Sequence, residues 1–348
     1  MPKHILIENN GDEIPSGSDE TLLESLHRAG YKMRVSCRNG VCEICEVKLL
    51  EGEIKQRYPE LHLSVDSVQT TRSAPSVLAC TCKPLSDVRV RIEGLKSPGE
   101  LSVKKLLCDI KAFEKLNHDV YRIRLQMPAT ASLSAEFFAG QYLDIFLPDG
   151  KQASFSIGSA PDTGRDIELH IRHMPESEMS NAIIGHLKSE KTVEIELPKG
   201  DCYLQAHKLK PDTRLILAAA STGFAQVKSV VEHLLANQFG NPIYIYWGAR
   251  VEEDMYLEKL PMQWAAEHPN VHFEPIVSEP ENSPGWTGRT GLLPDAVLED
   301  FADFENVEIF ASGSPGMVYA LLDACEPRGF EEANMHSDVF AYAPRPKS

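Results

Sequence analysis

The chain has 348 residues, 42% of them hydrophobic, with 35 Lys+Arg against 51 Asp+Glu and a formal charge of -16. That charge excludes nucleic acid and anionic membrane as main partners, because both reward basic surface. No apolar run approaches the roughly 18 residues of a membrane span, and the opening residues 1–8 (MPKHILIE) lack the apolar region and cleavage site of a secretory leader. The expected compartment is the cytoplasm, and the length suits two or three domains.

Residues 1–95 begin with a short apolar strand at Ile5–Ile7. A helix follows, for which Ser18 is the expected cap, with Leu22, Leu23 and Leu26 facing inward and Gly30 ending it. The alternating run Val88–Ile92 closes this small α+β unit, and the Gly, Pro and Ser of residues 94–100 mark a linker. Residues 1–95 carry 12 basic and 14 acidic side chains, so the remainder carries 23 against 37 and nearly all of the negative charge.

Residues 101–208 hold five alternating or apolar runs, at 120–127, 142–147, 154–157, 167–172 and 192–197, with one helical stretch at 179–187. Several short strands with a single helix predict a small antiparallel barrel. Residues 209–348 alternate strand and helix, with strands at 214–220, 243–247, 271–277 and 307–311 and a last apolar run at 339–342 read as a strand. That order predicts a doubly wound parallel sheet.

Eight cysteines in a reducing compartment point to metal or redox use rather than a disulfide framework. Cys37, Cys42 and Cys45 stand in C-x4-C-x2-C spacing and Cys80 follows from a distant segment, which is the plant-type [2Fe-2S] pattern. A zinc site would normally show two close Cys or His pairs. Cys82 rivals Cys80 as fourth ligand; resemblance to plant-type ferredoxins favours Cys80, four residues before Pro84. Cys82, Cys108, Cys202 and Cys325 are expected as buried packing. Glu43 and Glu46 flank Cys45, and two readings stand open: they lower the cluster potential, or they are solvated and offer a charged rim to a partner.

The rest of the chain resembles the ferredoxin-NADP reductase superfamily, and within it bacterial NAD(P)H-flavin reductases. The matching stretches are residues 140–150 (GQYLDIFLPDG), 154–159 (SFSIGS), 167–171 (IELHI), 222–224 (TGF), 245–250 (IYWGAR) and 285–291 (GWTGRTG). With the cysteine-bearing segment in front, the resemblance implies a β-grasp-like ferredoxin domain at 1–95, a flavin barrel at 101–208 and a nicotinamide domain at 209–348. This is the order found in reductase components of bacterial oxygenases and in CDP-6-deoxyglucoseen reductases. It implies FAD rather than FMN, since residues 178–181 (EMSN) counterpart the family's pyrophosphate region at a helix N-terminus.

The resemblance implies a flavin site of Phe155, Ser156, Ile157, His170, Ile171, Arg172, Met179 and Ser180, with Ser156 near the reactive ring edge. It implies a nicotinamide site at Thr222, Gly223, Ser312 and Gly313, with Phe340 and Tyr342 covering the flavin face and Ser156 and Ser312 closest to hydride transfer. A buried edge strand is the competing reading of Phe340. NADH is expected over NADPH, because Glu252, Glu253 and Asp254 follow Arg250 and repel a 2'-phosphate.

Three departures from the family stand out. Ala153 stands where an arginine usually holds the flavin phosphate, so Lys151 or Arg172 substitutes for it or the flavin is held more loosely. Ala220-Ser221 replaces two glycines before Thr222, and Ser312 replaces a cysteine. The implied function is a converter that passes electrons from NADH through flavin and cluster to an acceptor protein, an oxygenase component first. A deoxysugar dehydrase, free flavin or a quinone are the alternative acceptors, and a non-catalytic redox sensor or interaction module is the reading from another class.

Overall fold

The computed structural model describes residues 3–66, 74–97, 101–129, 137–204 and 209–345. Residues 98–100 of the expected linker lie outside these. The chain divides into two compact units, Met1–Leu101 and Ser102–Ser348, so the barrel and nicotinamide segments pack as one body.

The first unit comprises β1 (Lys3–Ile7), β2 (Glu13–Ser16), α1 (Leu22–Arg28), β3 (Glu46–Gln56), β4 (Leu61–Val65), β5 (Ser76–Leu78), β6 (Cys82–Pro84) and β7 (Val88–Arg91). The sheet runs β2-β1-β7-β3-β4, with β5 and β6 also pairing to β3. β1 and β7 are parallel and the other pairs antiparallel. The helix starts later than Ser18: Thr21 caps it, accepting from the Glu24 N–H while the Glu24 carboxylate returns to the Thr21 N–H. Thr21-x-x-Glu24 is a complete capping box, and Ser18 has no glutamate three residues on. Leu22, Leu23 and Leu26 lie in the core with Ile5, Ile7, Leu49 and Val90, each such burial contributing roughly 1.5–3 kcal/mol.

The second unit opens with β8 (Lys104–Lys115), β9 (Val120–Gln126), β10 (Tyr142–Phe146), β11 (Gln152–Ser156), β12 (Asp166–Arg172), α2 (Glu178–Ser189) and β13 (Thr192–Lys199). These strands form an antiparallel sheet in the order β11-β10-β13-β8-β9-β12. Immediately after β11, the Gly158 N–H donates to the Glu168 carbonyl of β12 at 2.7 Å. This draws the two end strands together around a core of Ile123, Leu125, Leu143, Ile145, Leu169 and Ile195 plugged by Ile183 and Leu187 of α2.

Then follow β14 (Arg214–Ala220), α3 (Phe224–Ala236), β15 (Ile243–Ala249), α4 (Lys259–Glu267), β16 (Val271–Val277), β17 (Arg289–Thr290), α5 (Leu293–Asp300), β18 (Val307–Ser312), α6 (Pro315–Cys325), β19 (Met335–His336) and α7 (Val339–Tyr342). The sheet is parallel, ordered β17-β16-β15-β14-β18-β19. Central β14 is buried on both sides: Leu215, Leu217 and Ala219 pack with α3 and α4, while Ile216 and Ala218 pack with α5 and α6. The run 339–342 is a short helix, not the expected strand. Its aromatics suit a strand by propensity, but Val339 and Phe340 pack against the cluster containing Tyr319 of α6 instead of pairing at the sheet edge.

Candidate functional site

In the first unit, Cys37, Cys42 and Cys45 lie on the loop between α1 and β3, and Cys80 lies on the turn between β5 and β6. Pairing of Glu46 with Leu78 and the Ala79 N–H to Cys45 carbonyl bond of 3.0 Å hold the two segments side by side. The sulfurs fall into two pairs. The Cys42 N–H reaches the Cys37 Sγ at 3.3 Å and the Cys37 N–H reaches the Cys42 Sγ at 3.5 Å, while the Cys45 and Cys80 Sγ atoms are 3.2 Å apart. The Asn39 N–H, together with the Cys42 thiol, pulls the Cys37 thiol down to about 6. Burial, with Cys45 beside it, pushes Cys80 up to about 11.

Four crowded sulfurs, one pair cradled by backbone donors, fit a two-iron cluster, which would take two thiolates per metal. Loop closure forces Arg38, Gly40 and Glu43 into left-handed backbone at φ +56°, +85° and +57°. Only Gly40 does so without a steric cost, and a Cβ there would come within 2.5 Å of the Tyr58 carbonyl oxygen. Glu43 points to solvent, flanked by exposed Val41 and Ile44. Cys82 is fully buried in β6 and its thiol is pushed up to about 12 by burial, which marks a packing residue.

In the second unit a cavity of about 1070 Å³ opens between the barrel and the carboxyl ends of the parallel strands. One wall is Tyr142 of β10, Ser154, Phe155 and Ser156 of β11, and His170 of β12. The lining is completed by residues 220–223 at the end of β14, residues 311–314 at the end of β18, and Phe340 and Tyr342 of α7. Strand ends of this kind are where α/β sheets receive ligands. Gly223 sits so tightly under β18 that a Cβ would lie 2.1 Å from the Ser312 carbonyl oxygen. Ser221, in the place of a family glycine, has φ +55°, and its carbonyl is held by the Trp247 indole N–H at 3.0 Å.

Three polar groups steady this body. His170 is buried with its ring bonded to Glu168 at 2.8 Å and to the Tyr256 hydroxyl at 3.0 Å, and burial lowers its pKa despite the carboxylate. Lys228 of α3 bonds the Gly158 carbonyl at 3.1 Å and pairs with Glu232 at 2.9 Å and Glu168 at 3.4 Å. Asp338, before α7, accepts from the Gln226 amide at 2.9 Å, and burial pushes its carboxyl up to about 6.

Of the residues singled out from the sequence, Phe155, Ser156, His170, Thr222, Gly223, Ser312, Gly313, Phe340 and Tyr342 all line the cavity. Ile157 and Ile171 are buried in the barrel core. Arg172, Met179 and Ser180 are not on the cavity wall; Arg172 lies within ion-pair distance of Asp119 at 3.0 Å and of buried Asp254 at 3.6 Å, yet its Nε and Nη2 are buried without a hydrogen-bond partner among the described residues. Sequence reasoning missed Tyr142, Gly200, Asp201, Gln226 and Asp338. The one available signal was an acidic residue just ahead of the final aromatic run, at Asp338.

The ring-sized portion of a flavin fits the aromatic and hydroxyl wall at Tyr142, Phe155 and Ser156, and the two Gly-containing turns fit a nicotinamide nucleotide. Together with the paired sulfurs, fold and cavity define an iron-sulfur flavoprotein oxidoreductase. Family models agree: a 2Fe-2S iron-sulfur cluster binding domain matches residues 5–85, an oxidoreductase FAD-binding domain residues 107–203 and an oxidoreductase NAD-binding domain residues 217–322.

The chain belongs to the ferredoxin-NADP reductase superfamily, in the branch with an N-terminal [2Fe-2S] domain. It is 31% identical to terephthalate 1,2-dioxygenase reductase component 1 of Comamonas sp over 99% of both chains. It is 29% identical to the CDP-6-deoxy-L-threo-D-glycero-4-hexulose-3-dehydrase reductase of Yersinia pestis over 98% of this chain and 99% of that one. Among solved structures, the Amycolatopsis cytochrome P450 reductase GcoB superposes with a TM-score of 0.63 at 25% identity, covering 97% of this chain and 98% of that one. The protein is an NADH-dependent iron-sulfur flavoprotein reductase that uses a [2Fe-2S] cluster, FAD and NAD(H) and delivers electrons to a partner. Among the described residues no helix is long and apolar enough to cross a membrane.

Proposed function

We propose that the partner is an oxygenase component, reached from NADH by way of the flavin at 101–208 and a cluster held by Cys37, Cys42, Cys45 and Cys80. The observation that carries this reading is that Phe155 and Ser156 line one cavity together with Thr222, Gly223 and Ser312. Flavin supplies the change from two-electron to one-electron transfer, and a [2Fe-2S] centre carries electrons singly. The chain's own residues position and exclude: Phe155 and Tyr142 offer ring faces, Ser156 and Ser312 offer hydroxyls at the hydride-transfer edge, and α7 covers the ring from water. The 31% identical terephthalate 1,2-dioxygenase reductase component aligns over 99% of both chains, which supports an oxygenase partner here.

A second reading rests on the 29% identical dehydrase reductase, whose name gives a deoxysugar dehydrase as acceptor. Reconstituted turnover with each class of partner separates the two. NADH is the expected donor over NADPH, because Glu252 and Glu253 follow Arg250 at the end of β15 with no added cation beside them in sequence. Eight free cysteines support a cytoplasmic setting. Protein purified without air is expected to show flavin and cluster absorbance and to reduce ferricyanide with NADH. Absence of both chromophores sinks the proposal, rapid turnover rejects the sensor reading, and a clear NADPH preference overturns the donor assignment.

A further inference from the structure

An unbroken run of contacts joins the barrel side of the cavity to the turn after β14, and Tyr256 stands in the middle of it. Tyr256 lies between β15 and α4. Its hydroxyl is 3.0 Å from the Nδ1 of His170, which lines the cavity. Its ring meets Trp247 edge-on, with centroids 5.2 Å apart at 82°, and Phe224 at 6.4 Å and 77°. Trp247 and Phe224 are both fully buried and stack on each other at 3.9 Å, 8° from parallel. The Trp247 indole N–H then bonds the carbonyl of Ser221, the cavity residue whose left-handed backbone leads the chain into Gly223.

The charges around His170 fix the direction of each bond. Burial raises the Glu168 carboxyl, but the His170 hydrogen bond and the Lys228 charge outweigh it and bring that group down to about 2, so it is a carboxylate at neutral pH. A carboxylate only accepts, and the His170 Nε2 at 2.8 Å therefore carries the ring proton. Burial keeps the imidazole neutral, which leaves its Nδ1 as an acceptor. Burial also pushes the Tyr256 hydroxyl well above its ordinary value, so it holds its proton and donates it to Nδ1. With both nitrogens engaged, His170 presents ring surface to the cavity, at an angle set by Glu168 on one side and Tyr256 on the other.

We propose that Tyr256 is a positioning residue for hydride transfer, holding the flavin side of the cavity through its hydroxyl and the nicotinamide turn through its ring. The inference rests on the cofactor sites proposed above and adds what keeps them in register. Tyr256, Trp247 and Phe224 are not on the cavity wall, so they act through His170 and Ser221, which are. The two ends differ in chemistry: one is a single hydrogen bond and the other a pair of aromatic contacts. A substitution can therefore remove the first and keep the second.

Two variants of the full-length protein test this. Tyr256→Phe keeps the ring and leaves the His170 Nδ1 without its donor. Stopped-flow reduction of the bound flavin at saturating NADH is expected to slow about fivefold, the range of one net hydrogen bond. Titration calorimetry of the flavin-free protein with ADP-ribose, which lacks the nicotinamide ring and reads the turn alone, is expected to give an affinity within about twofold of wild type. Tyr256→Leu removes both ends, so reduction should slow about tenfold or more and ADP-ribose should bind about fivefold more weakly, as the aromatic contacts to Trp247 and Phe224 are lost.

A reduction rate for Tyr256→Phe within about twofold of wild type overturns the positioning role while leaving the cofactor sites standing. Equal weakening of ADP-ribose by the two variants also overturns it, because a residue that merely supports the fold would not separate the turn from the flavin side. Wild-type protein that takes up no flavin defeats the functional reading, and this inference with it.

Discussion

Gly223 and Ser312 are packed backbone to side: the space for a Cβ on Gly223 is filled by the Ser312 carbonyl, 2.1 Å from where that atom would stand. Its φ of -56° is ordinary for any residue, so contact alone requires the glycine. Gly223→Ala must therefore push the turn after β14 away from the end of β18, the nicotinamide site proposed above. A loss of tenfold or more in kcat/KM for NADH is expected, a displacement of about 1 Å being enough for such an effect. Steady-state kinetics checks it, with an unchanged cluster spectrum showing that the first unit is intact.

Glu43 carries left-handed backbone and an exposed carboxylate together, so Glu43→Gly should act twice. Relief of the backbone offsets glycine's entropy to give roughly 0.5–1 kcal/mol of added stability in the first unit. Loss of negative charge near the cluster raises its midpoint potential, modestly because solvent screens the group. Redox titration followed by EPR reads the shift, and an unchanged midpoint assigns Glu43 to solvation or partner docking instead.

Cys80 and Cys82 are two residues apart and are expected to behave oppositely. Cys80→Ser should abolish the cluster's visible absorbance. Cys82→Ala should retain it and cost about 1 kcal/mol as a small cavity opens under β6. Iron content per chain decides between them; loss of iron from the Cys82 variant alone would exchange their roles.

Asp338 sets a pH dependence. Its carboxyl is pushed up to about 6, chiefly by burial and with Asp201 adding to it, while the Gln226 amide works against the rise. The neutral form is the one the fold prefers, so its contribution is full below about pH 4, where the unfolded carboxyl titrates, and is lost as pH rises through about 6. Asp338→Asn should flatten the part of the stability curve between those values. Thermal melts of both proteins across that range test it, and parallel curves would refute it.

Lys228 is nearly buried between two carboxylates, and Lys228→Met leaves Glu168 and Glu232 without their cation. The expected destabilisation is on the order of 3–5 kcal/mol, as for a broken buried pair. Denaturant unfolding followed by flavin or tryptophan signals checks the second unit, whose barrel and parallel sheet this lysine ties together.

Order along the chain was legible because its signals are local: cysteine spacing, alternation in the barrel strands, and strand-helix alternation after residue 209. The helix start at Thr21 was legible too, in Thr21-x-x-Glu24, but Ser18 drew attention as the first capping type met. Strands β3 to β6 escaped because β5 and β6 are only three residues each and depend on the eleven-residue β3 for all their pairing. The helix at 339–342 escaped because packing on α6 overrode an aromatic, β-branched composition. At the site, residues on one strand end or turn were found from motifs. Asp338, Tyr142 and Gly200 were not, because only packing of the barrel against the residues before α7 brings them together, and the nearness of Arg172 to Asp119 and Asp254 has no trace in local sequence.

The parallel pairing of β1 with β7 also fixes an order of events during synthesis. His4 of β1 bonds Asp87 across 83 positions, and Cys45 meets Cys80 across 35. A ribosome that has released the three-cysteine loop has not yet supplied the fourth sulfur or the strand that completes the sheet. The nascent loop therefore waits with reduced, uncommitted thiols until nearly the whole first unit has emerged. Iron loading is thus a step that follows translation of this unit, and cells short of iron or of reductant should accumulate chains whose flavin-binding half has folded behind an unmetallated leader.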